Sequence, residues 1–328
     1  MNALEKSPVA AVSDRRKSAH SGFGSAVRDR RYRRESGAAL MLSLWALFLL
    51  SAMLISWAID IDSRLVISGQ ANRALEAEAM ACSGAEIAMH PAVLPGSPLL
   101  HGGLARNQTY ETRITGEGGR LNINWIVAGE NPQRLEVLRK YLENKGVDLN
   151  ERDHMIDCLL DWVDPDNLVR LNGAEDEPGY KPANKPLISI DELKRVRGWS
   201  EFTSQKDWDA DFTLKSIGPI DIAWASRDVL LALPGMDAGR VDQFLALRRG
   251  PDGIDGTEDD PIKGTGDARV ALGFTEQQFE QLVPLLNPGR DQTFRVVSLG
   301  KSGDVTRVVR MVVRKAGNSV QLLTWKEL

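Results

Sequence analysis

The chain has 328 residues, with 41 Lys and Arg against 45 Asp and Glu, for a formal net charge of −4. Residues 1–37 are nevertheless basic, nine cationic side chains against four acidic (+5), so the remainder carries −9. An acidic remainder argues against a duplex nucleic-acid partner, whose phosphates call for a basic face, and its length allows one large domain or two.

Residues 1–27 are polar and lack hydrophobic period, and are expected to be a disordered extension. Arg28-Asp-Arg-Arg-Tyr-Arg-Arg34 then leads through Glu35, Ser36 and Gly37 into the uncharged stretch Ala38–Ile59. That stretch is long enough to cross a bilayer as a helix, which takes about 20 residues. The arginines hold its N-terminal end in the cytoplasm, so the chain after Asp60 is expected on the far side. This describes a single-pass inner-membrane protein with its C-terminal body in the periplasm. A secretory signal peptide carries its small residues after the apolar run; here Ser36, Gly37, Ala38 and Ala39 stand before it. Cleavage between Gly37 and Ala38 would remove the basic leader (1–37) and leave the apolar helix on the mature chain. That is the prepilin arrangement.

No Pro occurs between Ala38 and His90, which predicts one helix with a membrane half (38–59) and a second half (60–90). At about 1.5 Å per residue, roughly 50 residues reach about 75 Å. Ile61, Leu65, Ser68, Asn72, Leu75, Ala79 and Cys82 recur at helical steps as one weakly apolar, small-residue face. Pro91 and Pro95-Gly-Ser-Pro98 end the helix. From Gln108 to Ile126 the alternation predicts a hairpin: Tyr110, Thr112 and Ile114, a turn at Gly116-Glu-Gly-Gly119, then Leu121, Ile123 and Trp125. Residues 104–127 are thus the first part of a sheet. Strand patterns vanish after it and return at Thr293–Leu299, Val305–Arg314 and Ser319–Trp325, within 291–328. Neither group has enough strands for independent stability, so one sheet interrupted by an insertion is expected.

The insertion, 128–290, reads as helical. Asn131 caps a helix with Pro132 at its first position, and Leu135, Leu138 and Leu142 follow. Arg152–Trp162 carries Met155, Ile156, Leu159 and Leu160 on one side; Ser189-Ile-Asp-Glu192 is a capping box. Ser226 begins another helix, broken at Pro234-Gly-Met-Asp237 before a last one through Val241, Phe244 and Leu247. This makes two helical subdomains, the second like a helix-hairpin-helix. Asp237 and Asp242 beside Arg240, Arg248 and Arg249 favour packing over phosphate binding, and no nucleic-acid partner is expected.

Two segments concentrate carboxylates. Asp161-Trp-Val-Asp164-Pro-Asp166 is followed by Asn172-Gly-Ala-Glu175-Asp176-Glu177, and later comes Asp252-Gly-Ile-Asp255-Gly-Thr-Glu258-Asp259-Asp260. Hard oxygen donors at this density suit calcium, although neither segment has EF-hand spacing. The candidate ligands are Asp164, Asp166, Glu175 and Asp176 in the first, and Asp255 and Asp259 in the second. His20, His90, His101 and His154 form no zinc pattern. No nucleophile elbow, P-loop or dinucleotide fingerprint is present, so no enzymatic activity is expected. Cys82 and Cys158 are expected as two unpaired buried thiols.

These residues together resemble the minor pseudopilin K family of type II secretion (general secretion pathway protein K). The resemblance rests on the Gly37–Ala38 junction, Gly119-Arg-Leu-Asn-Ile-Asn124, Leu160-Asp-Trp-Val-Asp-Pro-Asp166 with Gly173-Ala-Glu-Asp176, Leu193-Lys-Arg-Val-Arg-Gly-Trp199, Leu233-Pro-Gly235 and Leu322-Leu-Thr-Trp325. It implies an α+β, type IV pilin-like fold, a long N-terminal helix on an antiparallel sheet, with a large all-α domain inserted in that sheet. It implies cleavage after Gly37 and methylation of Ala38 by a prepilin peptidase. It also implies calcium in the α-domain and a tip complex with minor pseudopilins I and J that helps initiate the pseudopilus. Position 5 of the mature chain would be Leu42, where most pilin-like proteins carry Glu; lacking a carboxylate there suits a subunit with no neighbour above it. A type IV pilus minor pilin and a membrane-anchored helix-hairpin-helix DNA-binding protein are the alternatives.

Overall fold

The computed structural model describes residues 32–328 apart from Lys263 and Arg290, with side chains from Gly37 onward. The leader up to residue 31 lies outside the described residues. The chain divides into two units between Ile67 and Ser68. Helix α1 (Tyr32–Met89) enters both. Its part in the first unit exposes every described side chain, and it contains an 18-residue window of mean hydropathy 2.4, apolar enough to cross a membrane.

In the second unit the helix buries Ala77, Met80, Ala81, Gly84, Ala85 and Ala88. This corrects the expected face. Leu75 is 65% exposed, and apart from Met80 the buried seam is made of residues too small to register as a hydrophobic stripe. Small size is what the contact needs: a Cβ on Gly84 would strike the hydroxyls of Thr112 and Ser298, and one on Gly300 the backbone of Ala77 and Ala81. The sheet answers with Ile114, Val296, Val309, Met311 and Val313. Lys315 Nζ donates to the carbonyl oxygens of His90 (3.2 Å) and Val93 (2.8 Å), just past the helix end.

Strands β1 (His101–Ala105) and β2 (Gln108–Gly116) pair antiparallel. The chain then leaves the sheet, and the hairpin expected to close over 121–125 does not form. Leu121–Asn122 (β3) instead pairs parallel with Phe212–Thr213 (β4). Asn122 accepts from the Trp125 amide at 3.2 Å and caps helix α2 (Ile123–Val127). Helices α3 (Pro132–Asn144) and α4 (Leu149–Val163) follow, the first capped by Asn131. The Ser189 capping box opens a 3₁₀ turn (Ile190–Arg195), then α5 (Ser200–Ser204) precedes β4. Helices α6 (Arg227–Leu231), α7 (Ala238–Arg248), α8 (Thr265–Ala271) and α9 (Glu276–Glu280) complete the insertion. Its core centres on Tyr141, Trp162, Trp199, Phe202, Phe212 and Phe244, with Phe212 5.2 to 6.1 Å from the rings of Tyr141, Phe202 and Trp199.

Strands β5 (Thr293–Ser302), β6 (Val305–Ala316) and β7 (Ser319–Glu327) finish the sheet. Its order is β1-β2-β5-β6-β7, all antiparallel, so the insertion separates two neighbouring strands. At the point of exit Glu117 is 1% exposed. Its carboxylate accepts from Arg295 Nε (2.9 Å) and Nη2 (2.8 Å), Arg120 Nη1 (3.3 Å) and Thr213 Oγ1 (2.5 Å). Burial, with repulsion from Arg295, pushes the Arg120 guanidinium down to about 10 against the pull of Glu117. Glu117→Ala should cost about 3–5 kcal/mol in urea unfolding, because it leaves buried cations unpaired. Gly84→Val should lower stability by about 1–3 kcal/mol through overpacking at the helix seam; unchanged unfolding midpoints in the two variants would contradict this account.

Candidate metal centre in the helical insert

Asp161 and Asp164 sit in the last turn of α4 and at its C-cap, a turn without a basic residue. A helix C-terminus disfavours anions, and Asp161 is fully buried, so the two carboxylates need a counter-charge. The chain folds back through 165–172 and runs along α4. At Gly173 a Cβ would strike the Asp161 carboxylate, so the close approach requires glycine. Two residues later Glu175 enters, 7% exposed. Carboxylate oxygens of Asp161, Asp164 and Glu175 then lie within 4.8 Å of one another.

Arg170 is the cation on hand. Its Nη1 donates to Asp161 Oδ1 and Asp164 Oδ2, each at 2.5 Å, and its Nη2 to Glu130 Oε1 at 2.8 Å. The compensation is incomplete: Asp164 Oδ1 and both Glu175 oxygens are buried without a hydrogen-bond partner. Burial, reinforced by Asp161, Asp164 and Asp166, pushes the Glu175 carboxyl above the usual range. Burial also raises Asp164, and the Arg170 contact only partly opposes it. Three anionic oxygens close together, with buried lone pairs lacking donors, are the donor set of a hard cation such as calcium. The residues present fit that group.

Of the sequence candidates, Asp164 and Glu175 come together here, and Asp161, which was passed over, completes the group. Asp166 and Asp176 are exposed and outside it. Asp166 Oδ1 instead accepts from the Leu168 amide at 2.8 Å. The missed signal was spacing: Asp161 and Asp164 stand three apart on a helix and share a face.

The second segment gathers Asp252, Asp259 and Asp260. Asp255 faces away, bidentate on Arg248 at 2.8 and 3.1 Å. Its loop supplies its own donors: Thr257 Oγ1 reaches Asp259 Oδ1 (2.6 Å), and the Gly256 amide reaches Asp260 Oδ2 (2.6 Å). The Thr257 hydroxyl holds the Asp259 carboxyl below its usual range. In the α6–α7 hairpin, Arg227 pairs with Asp242 at 2.7 and 3.1 Å. Arg240 donates to Gly235 O (2.5 Å) and lies over Phe274. The hairpin's arginines are spent within the chain. Both cysteines are free, Cys158 buried and Cys82 only half-buried. Burial pushes the Cys158 thiol up to about 12.

Residues 119–206 match the family model described as type II secretion system (T2SS), protein K. A type II secretion system protein K from Klebsiella pneumoniae is 37% identical over 73 residues, 20% of this chain and 22% of the relative. One from Pectobacterium carotovorum subsp. carotovorum is 30% identical over 92 residues, 24% and 28% of the two chains. The matched stretch therefore spans about a quarter of the length of these curated relatives. The fold is similar to a chain in the crystal structure of the GspK-GspI-GspJ complex from the enterotoxigenic Escherichia coli Type 2 Secretion System. The TM-score is 0.54 at 15% identity, over 81% of this chain and 99% of that one.

Glu175 raised above its free value makes the metal-free fold less stable as pH rises from about 4 toward neutrality, since the folded state then gives up a proton it favours. In the presence of a chelator at neutral pH, Glu175→Gln is expected to gain about 1–3 kcal/mol in chemical unfolding, with the advantage shrinking on acidification. A loss at neutral pH would contradict the orphaned-carboxylate description.

Proposed function

We propose, on the premise that the chain belongs through residues 119–206 to the type II secretion system protein K family, that it is a minor pseudopilin of that system. In this reading it forms a pseudopilus tip complex with minor pseudopilins I and J and helps initiate assembly for protein export across the outer membrane. The carrying observation is the sheet itself, whose adjacent strands β2 and β5 are split by an insertion whose first part, residues 119–206, the family model matches. The complex in which the similar solved chain was found supports the choice of partners.

The role is structural rather than catalytic. A prepilin peptidase cuts after Gly37 and methylates Ala38, freeing an apolar helix that can be drawn from the inner membrane into a bundle of pseudopilins. The C-terminal body lies in the periplasm. Leu42 at mature position 5 leaves no carboxylate in the lipid for a neighbour above, and the insertion would obstruct stacking of further subunits. Calcium is the cofactor, with Asp161, Asp164 and Glu175 as its ligands. It supplies the positive charge that Arg170 alone does not.

Intact mass and N-terminal sequencing with co-expressed prepilin peptidase should give a methylated chain beginning at Ala38. An intact leader beside an active peptidase would sink the reading. Co-purification with the I and J pseudopilins should survive loss of the leader, and restoration of secretion in a strain lacking the subunit should fail when residues 128–290 are removed. Calcium at 100 times its dissociation constant should stabilise the wild type by about 2.7 kcal/mol and leave Glu175→Gln almost unmoved.

A further inference from the structure

Arg170 is placed unlike an ordinary surface arginine. One guanidinium nitrogen bridges Asp161 Oδ1 and Asp164 Oδ2, and the other rests on Glu130 Oε1. Its inner end therefore touches two of the three groups whose oxygens converge, while its outer end is already on a carboxylate that is 57% exposed. Glu130, Asp164 and Arg170 together line part of a cleft of about 300 Å³.

We propose that Arg170 is a built-in counter-cation, seated on Asp161 and Asp164 in the metal-free chain and displaced onto Glu130 when a divalent cation binds. This rests on the reading of Asp161, Asp164 and Glu175 as a cation site. Three observations carry it. The first is charge: a single guanidinium faces three carboxylates and leaves Glu175 without a donor, so a doubly charged ion compensates more of the cluster. The second is freedom to move. Neighbouring Leu168, Val169 and Leu171 are 76%, 61% and 97% exposed and the receiving Glu130 is 57% exposed, so the shift carries the guanidinium outward along a segment whose own apolar side chains are not buried.

The third is tethering. The backbone is held on both sides, by the Leu168 amide on Asp166 (2.8 Å) and the Asn172 amide on Asp157 (3.1 Å). The arginine can therefore swing while the loop stays in place. Arg170 thus sets a threshold. It keeps the buried acids tolerable in the absence of metal and weakens binding by the work of moving it aside.

The test uses the full chain in detergent micelles and terbium(III), a luminescent substitute for calcium, excited through Trp162 beside Asp161. Arg170→Gln should bind terbium about tenfold more tightly than wild type, the factor set by roughly one charge-assisted contact. Adding Glu175→Gln to that variant should abolish the gain. Binding by the wild type with equal or weaker binding by Arg170→Gln would overturn the proposal while leaving the cation site standing. No terbium binding by either, or a full signal from the double variant, would instead overturn the cation site, and the proposal with it. A readout on the unmodified chain covers a variant that does not fold. Phenylglyoxal should modify Arg170 several-fold faster with calcium than with chelator, read by peptide mass; an unchanged or slower rate overturns the displacement.

Discussion

A buried carboxylate holds this fold in register. Glu117 lies where the chain leaves the sheet, and Arg295 lies where it returns, 178 positions later. Neither charge could remain in the interior alone. Together, with Arg120 and Thr213 filling the remaining oxygen sites, they join three parts of the chain: the end of β2, the start of β5, and β4 from the insertion. Arg295 also donates to Phe212 O at 2.9 Å, and Phe212 is the ring around which the aromatic core of the insertion is arranged. Arg310 on β6 adds a contact to Asp209 at 2.5 Å. The insertion is therefore bound into the sheet by charge and hydrogen bonding rather than by an apolar interface alone.

The two faces of the sheet follow different physics. Toward α1, Ala and Gly on the helix allow a close approach to the buried Ile114, Val296, Val309, Met311 and Val313, so dispersion over a short separation adds to apolar burial. Toward the insertion, the Glu117–Arg295 charge cluster stands beside an aromatic contact, Trp224 edge-on to Phe294 at 6.2 Å. The acidic centre belongs to neither face; it lies in the insertion, at the end of α4, where a helix terminus, two helical acids and a folded-back Glu175 meet. The antiparallel sheet thus carries a domain with its own electrostatic problem.

Much of this was legible in the residues. The alternation in 293–325 located three strands because one face of each is apolar, and Asn131-Pro132, Ser189 with Glu192 and Ser226 located helix starts because capping is local chemistry. The failures have a common cause, that local pattern does not see a distant partner. Leu121, Ile123 and Trp125 alternate like a strand, yet Asn122 caps a helical turn and β4 takes up the pairing. The helix face was misjudged because Ala and Gly carry little hydropathy, and their value lies in the proximity of Gly300 on another strand. Asp164 and Glu175, which the structure brings together, stand out in the sequence by density of acids. The burial of Asp161 and its contact with Arg170 do not, because burial at a helix end cannot be read from composition.

The split of the sheet also orders events in time. β1 and β2 are neighbours in the chain, but β2 pairs along its whole length with β5, which is made after the entire insertion. Until then the second edge of β2 presents unpaired backbone, a template for any passing strand. Closing a loop of that size is far less costly once the insertion has condensed and brought its two ends together. A condensed insertion thereby lowers the cost of completing its host sheet, and one edge of β2 stays open until β5 arrives.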